Sequence, residues 1–132
     1  MKKNLLLNAP VSAVIAEMGH TDSLVISDCG LPIRGNAERI DLALKPGIPR
    51  LIETLQVVLT ELCVERAVLA EEIKTASPDL HKEILKCLGN KVHVEYVPHE
   101  TFKKLTESAK AVVRTGECTS YANVLLYSGV TF

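Results

Sequence analysis

One histidine and two aspartates flank a short apolar segment near the start of the chain. His20 and Asp22 precede residues 23–27, and Asp28 follows them directly. An imidazole titrates near neutral pH, with an ordinary pKa of about 6.5, and a nearby carboxylate can orient it or accept a hydrogen bond from a hydroxyl. This combination predicts general acid/base chemistry that uses neither a metal ion nor a covalent nucleophile.

The same three residues also fit a structural role. Asp22 and Asp28 resemble ordinary loop residues at the two ends of a strand, and His20 follows a predicted helix end. The partial negative charge of a helix C-terminus favours a protonated imidazole by about 0.3 to 1 kcal/mol, which suits a proton donor. Structural histidines are common at the same location, so the spacing alone leaves both interpretations open.

The composition excludes several classes of protein. A chain of 132 residues with 47% hydrophobic content suits a single domain, residues 1–132, with a real core. The net charge is −1 and the basic residues are scattered, so we expect no nucleic-acid partner. The first apolar run ends at Asn8 and no stretch approaches a membrane span of about 18 apolar residues. We therefore expect a mature, soluble, cytoplasmic protein with no membrane contact.

The four cysteines are far apart in the sequence. They form no C-x-x-C pair and no His/Cys cluster at zinc spacing, so we expect neither a metal site nor a redox pair. Free thiols in a reducing cytoplasm are the simplest account. Neither of the two glycine-rich phosphate-binding motifs, G-x-G-x-x-G and G-x-x-x-x-G-K-[ST], occurs, so a nucleotide cofactor is not expected.

Hydrophobic periodicity predicts alternating helices and strands. In open α/β sheets ligands bind at the carboxyl ends of strands, which is where Asp28 falls. The alternation predicts a three-layer α/β/α sandwich around a central, largely parallel or mixed sheet. The predicted elements are a helix between Asn8 and Gly19, a strand at 23–27, a loop at 29–49, a helical pattern at 48–62, a strand at 65–70, a helix at 78–88 capped by Ser77, a strand at 92–96, a helix opened by 98–100, and strands at 111–114 and 124–127.

Other titratable residues are expected to be structural. Glu71 and Glu72 are adjacent, and neighbours on a strand point to opposite faces, so paired-carboxylate chemistry is disfavoured relative to a structural or helix-capping role. His81 lies on the polar side of a predicted helix, and His93 alternates with apolar residues on a predicted strand. Both histidines are therefore expected at the surface.

Five blocks of sequence, spread in order over nearly the whole chain, carry a resemblance to a known family. They are residues 19–22 (GHTD), 28–33 (DCGLPI), 39–41 (RID), 70–74 (AEEIK), and the ending from 116–123 (GECTSYAN) through 129–132 (GVTF). In these blocks the chain resembles the bacterial D-ribose pyranase family. One small departure is Thr119-Ser120, where the family often has Ser-Pro before the tyrosine, and it affects loop stiffness rather than chemistry.

The resemblance implies an activity and a set of site residues. The activity is a cofactor-free, non-redox interconversion of the pyranose and furanose rings of D-ribose, which supplies the furanose form to ribokinase after uptake. The family's proton donor corresponds to His20. Three candidates remain for the general base: Asp28, His99 and water. The sugar-contacting residues of the family correspond to Asp28, His99, Tyr121, Ala122 and Asn123.

The resemblance also implies an assembly, typically a homodecamer of two pentameric rings with sites at subunit boundaries. We expect residues 19–28 to form one half of a pocket and the tail at 116–132 to close a neighbour's pocket. Three alternatives stay open: an L-fucose mutarotase of the same superfamily, a non-catalytic sugar-binding module of ribose transport, and a protein that only mediates assembly. The segments 28–32 and 121–123 favour ribose over fucose, and the presence of His20 disfavours a pure binder.

Overall fold

Helices and strands alternate along most of the chain in the computed structural model, which describes residues 1–132. The elements in chain order are α1 (Ala9–Glu17), β1 (Ser23–Ser27), β2 (Glu38–Asp41), α2 (Leu51–Val58), β3 (Val64–Ala70), α3 (Ile73–Ala76), α4 (Pro78–Leu88), β4 (His93–Val97), α5 (His99–Thr106), β5 (Ala111–Arg114) and β6 (Val124–Ser128).

The six strands form one mixed sheet in the order β2-β5-β1-β6-β3-β4. Strand β6 is antiparallel to both of its neighbours, β1 and β3, and every other pairing is parallel. The carboxyl ends of β1, β3, β4 and β5 therefore lie at the same end of the sheet as the amino end of β6. The predicted mixed sheet is confirmed.

Hydrophobic clusters cover both faces of the sheet. The larger cluster packs α1, α2 and α4 against one face, which includes Leu24 and Ile26. The smaller cluster packs Phe102 of α5 against the other face, which includes Val25. Alternate residues of a strand point to opposite faces, so the continuous apolar run of β1 serves both clusters. The layers are helix, sheet and helix, and the predicted three-layer sandwich is confirmed.

Local capping signals set the bounds of the first helix. The side chain of Asn8 accepts a hydrogen bond from the backbone N–H of Val11 at 3.0 Å, as expected for an N-cap residue. Pro10 lies in the first turn, where backbone N–H groups have no acceptor within the helix, so the N–H that proline lacks costs no hydrogen bond. Gly19 and His20 follow the end of α1, so the predicted position of His20 beyond this helix is confirmed.

Two predictions about elements are wrong. Residues 29–49 are not entirely loop, because β2 pairs with β5 at the edge of the sheet; its exposed, polar residues hid the strand pattern. Helix α2 ends at Val58, and a turn carries the apolar pattern on to Leu62. The strand predicted at 65–70 is confirmed as β3, and the short helix α3 that follows it was not predicted.

None of the helices is both long enough and apolar enough to cross a membrane. The largest buried side chains belong to the two hydrophobic clusters that pack against the faces of the sheet.

Candidate functional site

A polar cavity of about 310 Å³ opens at the edge of the sheet where the parallel strands end. This volume is at the lower end of the range for small-molecule pockets. A wider groove of about 520 Å³ lies between α2 and α4, but it contains none of the residues that the sequence singled out. The polar cavity is lined by Asp28, Gly30, Leu31, Pro32, His99, Ser120, Tyr121 and Asn123.

The Asp28 carboxylate is held in one orientation by its own loop. Its Oδ1 accepts hydrogen bonds from the backbone N–H groups of Gly30 at 2.9 Å and Leu31 at 2.8 Å. Its Oδ2 accepts from Nδ2 of Asn123 at 2.8 Å, and the backbone N–H of Asp28 donates to Oδ1 of Asn123 at 3.0 Å. The carboxylate is therefore a preorganised acceptor for a ligand hydroxyl.

The segment before β6 turns sharply to bring Tyr121 and Asn123 into the cavity wall. Tyr121 has φ of 58°, in the left-handed region that non-glycine residues seldom occupy and where they cost about 1 to 3 kcal/mol. The backbone N–H of Asn123 donates to the carbonyl of Tyr121 at 2.8 Å. Ala122, between them, is fully buried and is absent from the cavity wall, so its methyl group faces the core.

His99 enters the cavity from the first turn of α5. Its ring stacks on Phe102 with the centroids 6.3 Å apart and meets the ring of Tyr121 edge-on at 5.1 Å. Nδ1 of His99 is buried and has no hydrogen-bond partner. An unpaired buried nitrogen is costly, so a polar ligand that reached it would satisfy a group the fold leaves open.

Glu72 fixes the backbone at this histidine. Both of its carboxylate oxygens accept from the backbone N–H of His99 at 3.0 Å. That hydrogen bond, more than any other cause, holds the pKa of Glu72 below its ordinary value. The structural role expected for Glu72 is confirmed, because its carboxylate binds the first N–H of α5, although the residue follows β3 instead of lying within it.

His20 lies at the opposite end of β1. Its Nε2 is 3.1 Å and 3.2 Å from the carboxylate oxygens of Glu65, with about half of each side chain exposed. Glu65 stands where the pairing of β3 with β6 slips in register between Val64 and Arg66. An extra residue of this kind redirects a side chain, and here it directs the carboxylate towards His20. Sequence reasoning missed this partner, which is 45 residues from the histidine.

The loop that carries His20 is tied down by main-chain and side-chain contacts. Oδ2 of Asp22 accepts from the backbone N–H of Gly19 at 2.9 Å and is 3.5 Å from the Lys110 ammonium. The Ser128 hydroxyl donates to the carbonyl of Gly19, and the backbone N–H of Thr21 donates to the carbonyl of Ser128 at 3.0 Å. Of the catalytic and structural roles that the sequence left open for Asp22, the contacts therefore support the structural one.

The structure separates His20 from the other candidate residues. Asp22 and Asp28 are six residue steps apart along an extended strand, which at about 3.3 Å per residue is about 20 Å. The expectation that residues 19–28 form one half of a pocket is therefore wrong. Asp28, His99, Tyr121 and Asn123 share one cavity of a single chain, and His20 is at the far end of the sheet.

Glu117 lies in the loop that leads to Tyr121. It is almost fully buried at 3% exposure. Burial alone would raise the pKa of the Glu117 carboxyl. The carboxylate accepts hydrogen bonds from the Thr119 hydroxyl at 2.7 Å and the Leu51 N–H at 3.3 Å, and the Arg50 guanidinium is nearby. These interactions outweigh the effect of burial and hold the pKa below its ordinary value. The carboxylate thus links the loop before Tyr121 to the start of α2.

Two expectations about individual side chains are corrected. His81 is not a free surface residue, because its Nε2 is 2.8 Å from the Tyr96 hydroxyl, and burial lowers its pKa. Ser77 does not cap α4 with its hydroxyl, which donates instead to the carbonyl of Ser120 at 2.8 Å. His93 is exposed, as expected.

The cysteines also depart from expectation in one respect. All four are free thiols. Their spacing in the sequence indicated no pair, yet Sγ of Cys29 and Sγ of Cys118 are 3.3 Å apart. This contact joins residues 89 positions apart, so no local pattern could reveal it. No three His, Cys, Asp or Glu side chains lie close enough together to form a metal site.

The fold and the cavity define a mixed-sheet α/β protein whose polar pocket lies at the carboxyl ends of the strands. The profile of the RbsD / FucU transport protein family matches residues 1–131. The chain belongs to this family.

Two relatives and two solved structures show which members of the family the chain is similar to. It is 55% identical to a D-ribose pyranase of Haemophilus influenzae and 56% identical to one of Laribacter hongkongensis, with 100% of each chain covered. Bacillus subtilis RbsD complexed with D-ribose matches with a TM-score of 0.96 and 44% identity over 100% of both chains. The fucose mutarotase of Streptococcus pneumoniae in complex with L-fucose matches over 100% of both chains with a TM-score of 0.82, but at 21% identity it shares the fold alone.

Proposed function

We propose that this chain is an isomerase that interconverts the pyranose and furanose forms of D-ribose. The observation that carries the proposal is that one polar cavity is lined by Asp28, His99, Tyr121 and Asn123 together. The full-length identity to proteins named D-ribose pyranase, and to a solved structure that holds D-ribose, supports ribose as the sugar.

The chemistry needs only proton transfer. Opening a cyclic hemiacetal requires a proton on the ring oxygen and removal of a proton from the anomeric hydroxyl, and reclosure through another hydroxyl requires the reverse transfers. Because the reaction is spontaneous in water, general acid/base assistance of roughly 10² to 10⁴-fold is sufficient. The proposal therefore includes no metal ion and no cofactor.

The cavity residues bind and orient the sugar. Asp28, already fixed by backbone donors, accepts from a sugar hydroxyl through a lone pair that its loop leaves free. His99 offers the unpaired Nδ1, and Tyr121 offers its ring face and phenol. Asn123 acts mainly by orienting Asp28, and buried Ala122 contributes through its main chain only. Asp28, His99 and water remain the candidates for the general base.

His20 is the proposed proton donor, and its position requires a second copy of the chain. Within one chain it is about 20 Å from the cavity, at the far end of β1. A neighbouring subunit could pack the end of its sheet that carries His20 and Glu65 over the cavity. This packing would bring its imidazole to the sugar. This geometry supports a homo-oligomer with shared sites, and the family resemblance favours a decamer of two pentameric rings.

The proposed setting is the cytoplasm, where the furanose product would be supplied to ribokinase. The free thiols are compatible with a reducing compartment. Neither nucleic acid nor a membrane is a proposed partner.

Exchange NMR on D-ribose tests the proposal directly, because it observes the ring forms interconverting without a coupled enzyme. We expect saturation transfer between pyranose and furanose signals to increase with protein concentration, and less so between the ring forms of L-fucose. Faster exchange for L-fucose would favour a fucose mutarotase. Ribose binding without faster exchange would instead favour a non-catalytic sugar-binding module.

A further inference from the structure

Two thiols face each other beside the cavity. Sγ of Cys29 and Sγ of Cys118 are 3.3 Å apart, Cys29 half-buried and Cys118 exposed. The backbone holds them together, because the N–H of Cys29 donates to the carbonyl of Glu117 at 2.8 Å, beyond the ends of β1 and β5. The two loops thus continue the parallel pairing of their strands.

We propose that Cys29 and Cys118 are a reversible disulfide site, oxidised by a low-molecular-weight disulfide, and that closing this bond disturbs the sugar cavity. Formation of the bond is independent of the proposed function, and its effect on the cavity rests on that function. The thiols are 89 residues apart in the sequence, and only the fold brings them together.

The chemistry of the exchange balances without any further reactant. The thiolate of one cysteine attacks a sulfur of the small disulfide, and one small thiolate leaves and takes up a proton. The second cysteine, as thiolate, attacks the mixed disulfide at the protein sulfur and releases the second small thiol. Two protein thiols are oxidised to one disulfide, and one small disulfide is reduced to two thiols.

The local environment gives the two thiols different roles. The hydrogen bond with Cys118 raises the pKa of the Cys29 thiol, and its partial burial adds to this effect. Cys29 therefore keeps its proton more strongly and is less open to solvent. The exposed Cys118 meets the oxidant first, and Cys29 resolves the mixed disulfide.

The bond would move two walls of the cavity. Sulfur atoms in a disulfide are about 2.05 Å apart, so the present separation of 3.3 Å must shorten by more than 1 Å. Cys29 directly follows Asp28, whose carboxylate is fixed by Gly30 and Leu31. Cys118 is three residues before Tyr121, whose backbone is already in the left-handed region. A shift of this size at a catalytic site can lower activity by about 10²-fold.

The other two cysteines provide matched controls. Cys63 is exposed, like Cys118, and its thiol donates only to the carbonyl of Val130, at 3.4 Å. Cys87 is half-buried on α4, where burial raises the pKa of its thiol. Neither is hydrogen-bonded to another sulfur, so neither is expected to form an intramolecular disulfide.

The first experiment treats the reduced, full-length protein with oxidised glutathione at pH 8 and maps its tryptic peptides without reduction. The four cysteines fall on four different peptides: 4–34, 51–66, 87–91 and 115–132. We expect a linked pair of 4–34 with 115–132 and the loss of two of the four titratable thiols. C29S and C118S should each abolish the link, whereas C63S should retain it. Glutathione adducts on Cys29 and Cys118 without a link would overturn the proposal.

The second experiment measures ribose ring exchange before oxidation, after it, and after reduction with dithiothreitol. We expect about 10²-fold lower activity in the linked protein, full recovery on reduction, and no oxidation-dependent loss in C29S or C118S. Unchanged activity in a fully linked sample would overturn the effect on the cavity. A reduced protein that accelerates no exchange would contradict the proposed function instead, and the peptide map would still decide whether the disulfide forms.

Discussion

The amide of Asn123 and the carboxylate of Asp28 are joined by a reciprocal pair of hydrogen bonds. Asn123 Nδ2 donates to Asp28 Oδ2 at 2.8 Å, and the backbone N–H of Asp28 donates to Asn123 Oδ1 at 3.0 Å. Asn123 is fully buried at the amino end of β6, next to the carboxyl end of β1. The antiparallel pairing of these strands therefore sets the direction in which the carboxylate faces the cavity.

Replacing this amide by a second carboxylate should make ribose binding depend on pH. In Asn123→Asp two carboxylates would lie about 2.8 Å apart, and at pH 7 both would be ionised and would repel each other. We expect affinity at pH 7 to fall by about 1 to 3 kcal/mol, as for Asn123→Ala, since both lose the donor to Asp28. Lowering the pH should restore binding in Asn123→Asp only, because one shared proton can replace the lost hydrogen bond.

Calorimetric titration with ribose at pH 7 and pH 5 checks this prediction. Circular dichroism should first show that both variants are folded. Equal affinities of wild type and both variants at both pH values would mean that the amide does not orient Asp28 for the sugar.

The contact between His20 and Glu65 predicts a separation of binding from turnover. His20→Ala should remove most of the expected 10² to 10⁴-fold general-acid contribution and leave ribose affinity measurable. Glu65→Gln preserves shape but removes the charge that faces the imidazole, so we expect a smaller loss, of about tenfold. Exchange NMR gives the rate, and calorimetry gives the affinity.

A matched control for Glu65→Gln is available on the neighbouring strand. Glu95 is 3.4 Å from Nε2 of the exposed His93 and also pairs with Arg66, so Glu95→Gln removes a similar histidine contact away from the cavity. It should leave ring exchange unchanged. If His20→Ala accelerates exchange at the wild-type rate, His20 is structural and the proton donor is another group.

The sequence predicted the parts of the fold that local signals determine. Asn8 and Gly19 bracket α1 because capping and chain termination depend on a few neighbouring residues. The polar edge strand β2 was missed because its pairing with β5 leaves most of its side chains exposed. Strand β1 was predicted from its continuous apolar run. Because it is buried on both faces, it does not need the alternation of polar and apolar residues that marks a half-buried strand.

The site was predictable only in part, for a related reason. Asp28, His99, Tyr121 and Asn123 were identified through the resemblance, and the strand order then brings them into one cavity. The partner of His20 depends on a register slip between β3 and β6. No periodicity encodes such a slip, and none encodes the distance between His20 and the cavity.

Stability at low pH should depend on Glu117. Its pKa is held below the ordinary 4.5, so its contribution to folding is present above that pH and is lost as the pH falls through the lowered value. Glu117→Gln should lower the free energy of unfolding by about 1 to 3 kcal/mol at pH 7, because the buried charged hydrogen bonds are lost. The difference from wild type should narrow below about pH 4.5.

Denaturant titrations at pH 7, 5 and 3.5 measure this difference. Glu17 is exposed at the end of α1, so Glu17→Gln is the control and should change stability by less than about 0.5 kcal/mol. A Glu117→Gln deficit of the same size at every pH would show that the loss comes from packing and not from ionisation.

The last prediction follows from the separation between His20 and Asn123 within one chain. If the proposed site is shared, the His20 of a neighbouring subunit reaches the cavity that contains Asn123. His20 and Asn123 of the same chain then belong to two different sites. At ribose concentrations too low to saturate Asn123→Ala, subunits with His20→Ala and subunits with Asn123→Ala should each have little activity alone. After mixing under conditions that exchange subunits, some cavities would combine wild-type Asn123 with a wild-type His20 from the neighbour, and ring exchange should partly recover. Each inactive variant taken through the same exchange procedure on its own is the control and should recover no activity. If mass spectrometry verifies mixed assemblies of His20→Ala and Asn123→Ala and no activity returns, the two residues do not act in a shared site.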